Sequence, residues 1–131
     1  MFVDASALCA ILLGELDKNS FEERLAAANG ATISAIAIWE TVRGLVRGKG
    51  LSAADARAEV EAYLTLAEIR VVAIAEPEAG MAIDAFARFG KGVHPARLNM
   101  GDCFAYACAR TNGVPLLYKG DDFSLTDIAS A

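Results

Sequence analysis

The chain has 131 residues, 55% of them hydrophobic and 22% charged, and a formal charge of −5. That length suits one domain, residues 1–131, and the apolar share excludes a disordered chain. No apolar run approaches the roughly 18 to 20 residues that cross a bilayer, and Ala7–Leu13 follows Asp4 rather than a basic segment, so neither signal nor anchor is expected.

In chain order, Met1–Asp4 reads as a short strand ending in an acid, and Ala5–Leu13 as a helix stopped by Gly14. A second helix is predicted over Asp17–Ala28, a strand over Ala31–Ser34, and a third helix over Ala35–Arg47, broken by Gly48-Lys49-Gly50. Ser52 is a predicted N-cap for a helix through Ala67, and the β-branched run Ile69–Ile74 is the clearest strand signal. Pro77 opens a helix through Phe89, Gly90–Leu98 reads as a loop, Asn99 caps a helix through Arg110, and Val114–Tyr118 is a final strand. Short strands, apolar on both faces and alternating with helices, predict an α/β fold: a parallel β-sheet flanked by helices on both faces, an α/β/α sandwich.

Three cysteines, Cys9, Cys103 and Cys108, with no Cys-x-x-Cys pair, suit reduced thiols in a cytoplasm. A single histidine, His94, leaves no ordinary zinc site, and in its loop it reads as structural or substrate-adjacent rather than as a base. Net acidity weighs against nucleic acid, whose phosphates call for a basic footprint.

The acids decide the chemistry, because open parallel sheets gather functional groups beyond the carboxyl ends of their strands. Asp4 stands at such an end, where it also suits the N-cap of the next helix. Glu40 shares a helix face with Ile36, Arg43, Gly44 and Arg47, away from the most apolar side, as a solvated surface glutamate would. Asp102 follows Asn99 at the capping-box offset, so it suits a helix start as well as a cation. Asp121 and Asp122 follow Gly120 after the last strand, where an acid pair also makes a turn, and Asp127 follows Thr126. Convergence of these carboxylates would demand a compensating hard cation, Mg²⁺ or Mn²⁺.

Met1-Phe2-Val3-Asp4-Ala5-Ser6-Ala7-Leu8, Ile33-Ser34-Ala35 through Trp39-Glu40, Gly90-Lys91-Gly92-Val93-His94-Pro95-Ala96-Arg97-Leu98-Asn99-Met100-Gly101-Asp102-Cys103, and Leu116-Leu117-Tyr118-Lys119-Gly120-Asp121-Asp122-Phe123 with Thr126-Asp127 resemble PIN-domain nucleases, specifically VapC toxins of type II toxin–antitoxin systems. The resemblance spans essentially the whole chain and implies an acidic quartet of Asp4, Glu40, Asp102 and Asp121. It makes Asp4, Asp102 and Asp121 the metal ligands and has Glu40 ligate through water or act on the attacking water. It sets Ser6 to orient Asp4, with Asp122 the alternative fourth acid and Asp127 a further one nearby. The implied activity is Mg²⁺-dependent hydrolysis of RNA phosphodiester bonds, Mn²⁺ being a possible substitute. Lys91, Arg97 and Lys119, with Arg43 and Arg47, would form a basic rim for the substrate. The resemblance also implies a VapB-type antitoxin presenting an arginine to the acids, a complex with it, and a homodimer joined through the early apolar helices.

Two rivals stay open from sequence. A receiver-like Mg²⁺-binding signalling domain needs an acid pair after the first strand and an aspartate after the third, where this chain has Asp4 alone and Ala75-Glu76-Pro77. A PIN-fold interaction module without catalysis needs no acids at all.

Overall fold

A computed structural model of the chain describes residues 1–131. Four strands, β1 (Phe2–Val3), β2 (Ala31–Ser34), β3 (Ile69–Val72) and β4 (Leu116–Leu117), form one sheet in the order β3-β2-β1-β4. Every pairing is parallel, with Phe2 opposite Thr32 and Leu116, and Ala31 to Ser34 opposite Ile69 to Val72. Six helices connect them: α1 (Ala5–Leu13), α2 (Lys18–Ala27), α3 (Ala35–Lys49), α4 (Ala53–Leu66), α5 (Glu76–Phe89) and α6 (Met100–Thr111).

Alternation along the strands creates two cores. Val3 and Leu117 join Ile33 and Ile69 on one face, under Leu8, Ile11, Phe21, Leu45 and Val60 from α1 to α4. Their neighbours Phe2 and Leu116 point the other way, beneath Ala82, Ala85, Phe89, Tyr106 and Cys108 from α5 and α6. Large apolar side chains such as Leu8, Ile33 and Leu116 are fully buried, each worth about 1.5–3 kcal/mol against exposure. The expected sandwich with helices on both faces is therefore what forms.

Local chemistry sets the helix boundaries. Ser34 Oγ accepts from Ala37 N at 3.3 Å and Ser52 Oγ from Asp55 N at 3.1 Å, so both serines satisfy otherwise orphaned N–H groups at a helix start. The third helix is not broken at Gly48 as expected; it runs to Lys49 and ends at Gly50, in the left-handed conformation at φ 68°. Gly44 is there for close packing, since a β-carbon on it would come within 2.6 Å of Cys9 Sγ on α1.

Three other differences have simple causes. Strand β1 is shorter than Met1–Asp4 because Asp4 already turns to cap α1. Strand β3 lies at the sheet edge and exposes Arg70 and Val71, so it is not apolar on both faces. The segment Gly90–Leu98 is closed by a bridge between Gly90 and Leu98 and buries Ala96 and Leu98, although its Gly and Pro content reads as an open loop.

What positions a site is the strand order. From β1 the chain steps outward to β2 and β3, then returns to add β4 on the other side of β1. The direction of winding reverses between β1 and β4, which opens a crevice beyond their carboxyl ends.

Candidate active site

Asp4 leaves β1 directly into that crevice and is 3% exposed. Its Oδ2 accepts from Ser6 N at 2.8 Å and from the Ser6 hydroxyl. Ser6 Oγ in turn accepts from Lys119 N, 2.9 Å away, just past β4. One hydroxyl thus ties the ends of the two strands that flank the reversal, and fixes the orientation of the buried acid between them.

Asp102 enters from α6. Its carboxylate accepts from Asn99 N at 2.8 Å while Asn99 Oδ1 accepts from Asp102 N at 3.1 Å, a reciprocal capping box. The two readings of Asp102 as cap and as site acid are therefore not exclusive, because one carboxylate oxygen serves the cap and the other stays free of protein partners.

Glu40 comes from the fourth side, on α3. It is half-buried, and its carboxylate lies directly against Gly101, where a β-carbon would collide with both its oxygens. It is not the solvated glutamate that its helix face suggests. Nothing in the sequence pattern of α3 gives this away; Gly101 beside Asp102 was the available signal, a helix position with no side chain.

The acids act on one another. Burial raises the Asp4 pKa above the ordinary carboxylate range, Ser6 and the Ala5 amide oppose this, and negative Asp122 adds to it. Burial also raises Glu40, with Asp4 adding and Arg43 opposing. Asp102 is pushed from 3.8 to about 7, chiefly by burial, with Asn99 opposing and the charges of Asp4, Asp122 and Glu40 adding. Acids from β1, α3, α6 and the turn after β4 therefore share one electrostatic neighbourhood.

Of the two acids after β4, Asp122 contributes charge felt by Asp4 and Asp102, while the Asp121 carbonyl accepts from Ser124 N and Oγ and closes the turn. Asp127 lies elsewhere, accepting from Tyr106 Oη at 2.7 Å, Arg88 at 2.9 Å and Arg110 at 3.1 Å. It ties the chain terminus to α5 and α6 and is not among the converging acids.

Of the expected basic rim, Lys119 Nζ pairs with Glu15 and, at 3.0 Å, with Asp17 at the α1–α2 turn. Lys91 and Arg97 line a shallow depression with His94, and Arg43 and Arg47 line another with Glu40. None of these four has a carboxylate within ion-pair distance, although half of the twelve lysines and arginines do. Net acidity thus coexists with free cations beside the crevice. His94 Nδ1 accepts from Ala96 N at 3.2 Å and its ring stands edge-on to Phe89, which makes it a structural residue of its loop. The three cysteines are unpaired, and burial pushes each thiol up to about 11.

The donors suit a hard divalent cation in kind: carboxylate oxygens, partly desolvated and mutually repelling, with no sulfur or imidazole among them. As placed, no three acidic, histidine or cysteine side chains converge tightly enough to hold one ion. The carboxylates sit drawn back onto Ser6, Asn99 and the Gly101 backbone.

The sequence pattern of the PIN domain matches residues 1–129, and this chain belongs to that family. Within it the similarity is to VapC proteins. Ribonuclease VapC of Mycolicibacterium smegmatis is 40% identical, with 99% of this chain and 98% of that protein covered. A VapC ribonuclease of Rhizobium meliloti is 38% identical over 97% and 98%. Ribonuclease VapC30 of Mycobacterium tuberculosis is 39% identical over 99% and 97%. The crystal structure of Mycobacterium tuberculosis VapC20, described as a sarcin-ricin loop cleaving toxin, superposes with a TM-score of 0.78, covering 99% of this chain and 97% of that one. Its 21% identity speaks for the fold. Membership in this family removes the receiver-like alternative. No helix is long and apolar enough to cross a membrane.

Proposed function

We infer that this protein is a metal-dependent endoribonuclease, the toxic half of a VapBC-type pair acting in the cytoplasm. The observation that carries the reading is the gathering of carboxylates from β1, α3 and α6 at the sheet's carboxyl end, where burial raises Asp4, Glu40 and Asp102 and the charges of Asp4, Asp122 and Glu40 raise Asp102 further. Acids gathered with only Arg43 to offset them make sense where a cation joins them. Full-length similarity to proteins named VapC ribonuclease supports the substrate class.

Asp4 and Asp102 would hold Mg²⁺, or Mn²⁺ in its place, with Asp122 completing the set. When bound, the cation lowers the pKa of water and stabilises charge on the attacking and leaving oxygens. Ser6 holds Asp4 in one orientation, so this ligand is positioned before the ion arrives. Glu40, elevated and seated at the start of α6, takes the proton from the attacking water on a carboxylate oxygen. Lys91 and Arg97, in their own shallow depression, hold the substrate's phosphates.

The antitoxin is expected to be of VapB type, covering the acids with an arginine. A homodimer is the expected assembly of the free toxin.

The test is incubation of antitoxin-free protein with total RNA in Mg²⁺, Mn²⁺ or EDTA, beside Asp4→Asn and Asp102→Asn, followed by sequencing of new 5′ ends. Discrete cleavage requiring metal and both acids is expected. Identical patterns from wild type and variants would overturn the reading in favour of a binding module that does not cleave.

A further inference from the structure

Trp39 is the chain's one tryptophan and is 60% exposed, on the helix turn that carries Glu40. Its ring has the Arg43 guanidinium over it, 5.4 Å from the centroid. Arg47 follows at the same four-residue spacing, so Trp39, Arg43 and Arg47 form one ridge along α3, roughly 12 Å long. Arg43, Arg47 and Glu40 line a single open depression of about 350 Å³, floored by Gly44 and Gly48. The ridge therefore begins at the acidic crevice and leads away from it.

This combination has no structural purpose within the chain. A large indole in water forgoes the burial that would stabilise the fold, and the two arginines form no ion pair and repel each other on one helix face, with Glu40 offsetting only Arg43. The same three groups are complementary to a nucleotide. A flat aromatic face takes a base, an arginine plane stacks on either, and the guanidinium forks donate two hydrogen bonds to a phosphate. Paired bases in an RNA helix cannot offer their faces, whereas unpaired ones can.

We propose that Trp39, Arg43 and Arg47 form a subsite for an unpaired nucleotide flanking the scissile phosphate, with the base stacked on Trp39 and its phosphate held by the arginines. The proposal rests on the ribonuclease reading and specifies which form of RNA the crevice accepts. Trp39 is a positioning residue in this role: it sets where the strand lies relative to Asp4 and Glu40 and does not touch the reacting atoms.

Because the tryptophan is unique, its fluorescence reports the event directly. A short, cleavage-resistant 2′-O-methyl RNA would be titrated into the protein in EDTA, as a single strand and as the matching duplex. The single strand is expected to quench the emission and the duplex to leave it unchanged. Anisotropy of the labelled single strand should show about tenfold weaker binding to Trp39→Ala and to Arg43→Ala/Arg47→Ala, with Trp39→Phe retaining most of the affinity. In cleavage assays the same variants should raise KM for single-stranded RNA by about tenfold, with kcat of Trp39→Ala within about threefold of wild type.

Cleavage by wild type with no quenching, and with equal KM in all variants, would overturn the subsite and leave the ribonuclease reading standing. Quenching and variant-sensitive binding without any cleavage would support the subsite and remove that reading. Emission that changes with protein concentration and not with RNA would overturn the subsite in favour of a second copy of the chain covering Trp39.

Discussion

The carboxylate of Glu40 rests against the bare α-carbon of Gly101, across the junction between α3 and α6. The glycine is the only residue that lets the acid reach this point, yet its obstruction would be cheap for the fold, because the colliding atoms are the end of a flexible side chain. Gly101→Ala should therefore leave thermal stability equal or slightly higher, since alanine is favoured over glycine in helices by up to about 1 kcal/mol. RNA cleavage should fall about tenfold or more, as for loss of a catalytic proton acceptor. Melting curves and single-turnover cleavage of the same preparation make the comparison. Activity equal to wild type would mean that Glu40 works from somewhere else.

The adjacent acids after β4 should separate cleanly. Asp122 opens the 3-10 turn Phe123–Leu125 and adds charge to Asp4 and Asp102, while the backbone of Asp121 is occupied with Ser124. Asp122→Asn is expected to cut metal-dependent cleavage by about 10- to 100-fold, and Asp121→Asn by no more than about threefold. The reverse order of effects would restore the register that the sequence favours.

Asp127 should behave as a residue of the fold. It gathers Tyr106, Arg88 and Arg110, and the Tyr106 hydroxyl followed by Arg88 holds its carboxyl below the ordinary range. A depressed acid stabilises the protein above its unfolded pKa and stops doing so as pH falls through the folded one. Asp127→Asn should cost about 1 kcal/mol in urea unfolding at pH 7, discounted for its partial exposure, with cleavage unchanged. A large loss of activity at full stability would return Asp127 to the site.

How far the sequence reveals this depends on the range of the interactions concerned. Helix starts at Asp4, Ser34, Ser52 and Asn99 are legible because a cap is a contact within three residues. The parallel sandwich follows from strand and helix alternation. Asp4 and Asp102 stand out because strand ends and helix starts are local features too. The burial of Glu40 is not legible, for it depends on α6 arriving some sixty residues later with a glycine at the point of contact. Choosing between Asp121 and Asp122 requires the turn geometry, and the diversion of Lys119 to Glu15 and Asp17 is a contact across more than a hundred residues. The last residues pair with β4 through Leu116 N to Ala129 O and Ala131 N to Leu116 O, a register that no turn signal announces.

The raised acids make a prediction about the metal-free protein. Asp102 keeps its proton in the fold up to about pH 7, whereas the unfolded chain gives it up near the ordinary 3.8, and burial raises Asp4 and Glu40 in the same direction. Between those values the native state binds more protons than the unfolded one, so stability falls as pH rises through about 4 to 7 and levels off above. In EDTA the melting temperature should drop across this window, and Asp102→Asn should flatten the drop because its amide has no proton to lose. A cation held by these carboxylates would compete with those protons, so saturating Mg²⁺ should raise the melting temperature strongly at pH 8 and weakly at pH 5. A melting temperature in EDTA that climbs from pH 5 to 8 in wild type, relative to Asp102→Asn, would mean that the acids are not under mutual strain. The cation would then have no electrostatic deficit to fill, and the reason for placing it among these carboxylates would be gone.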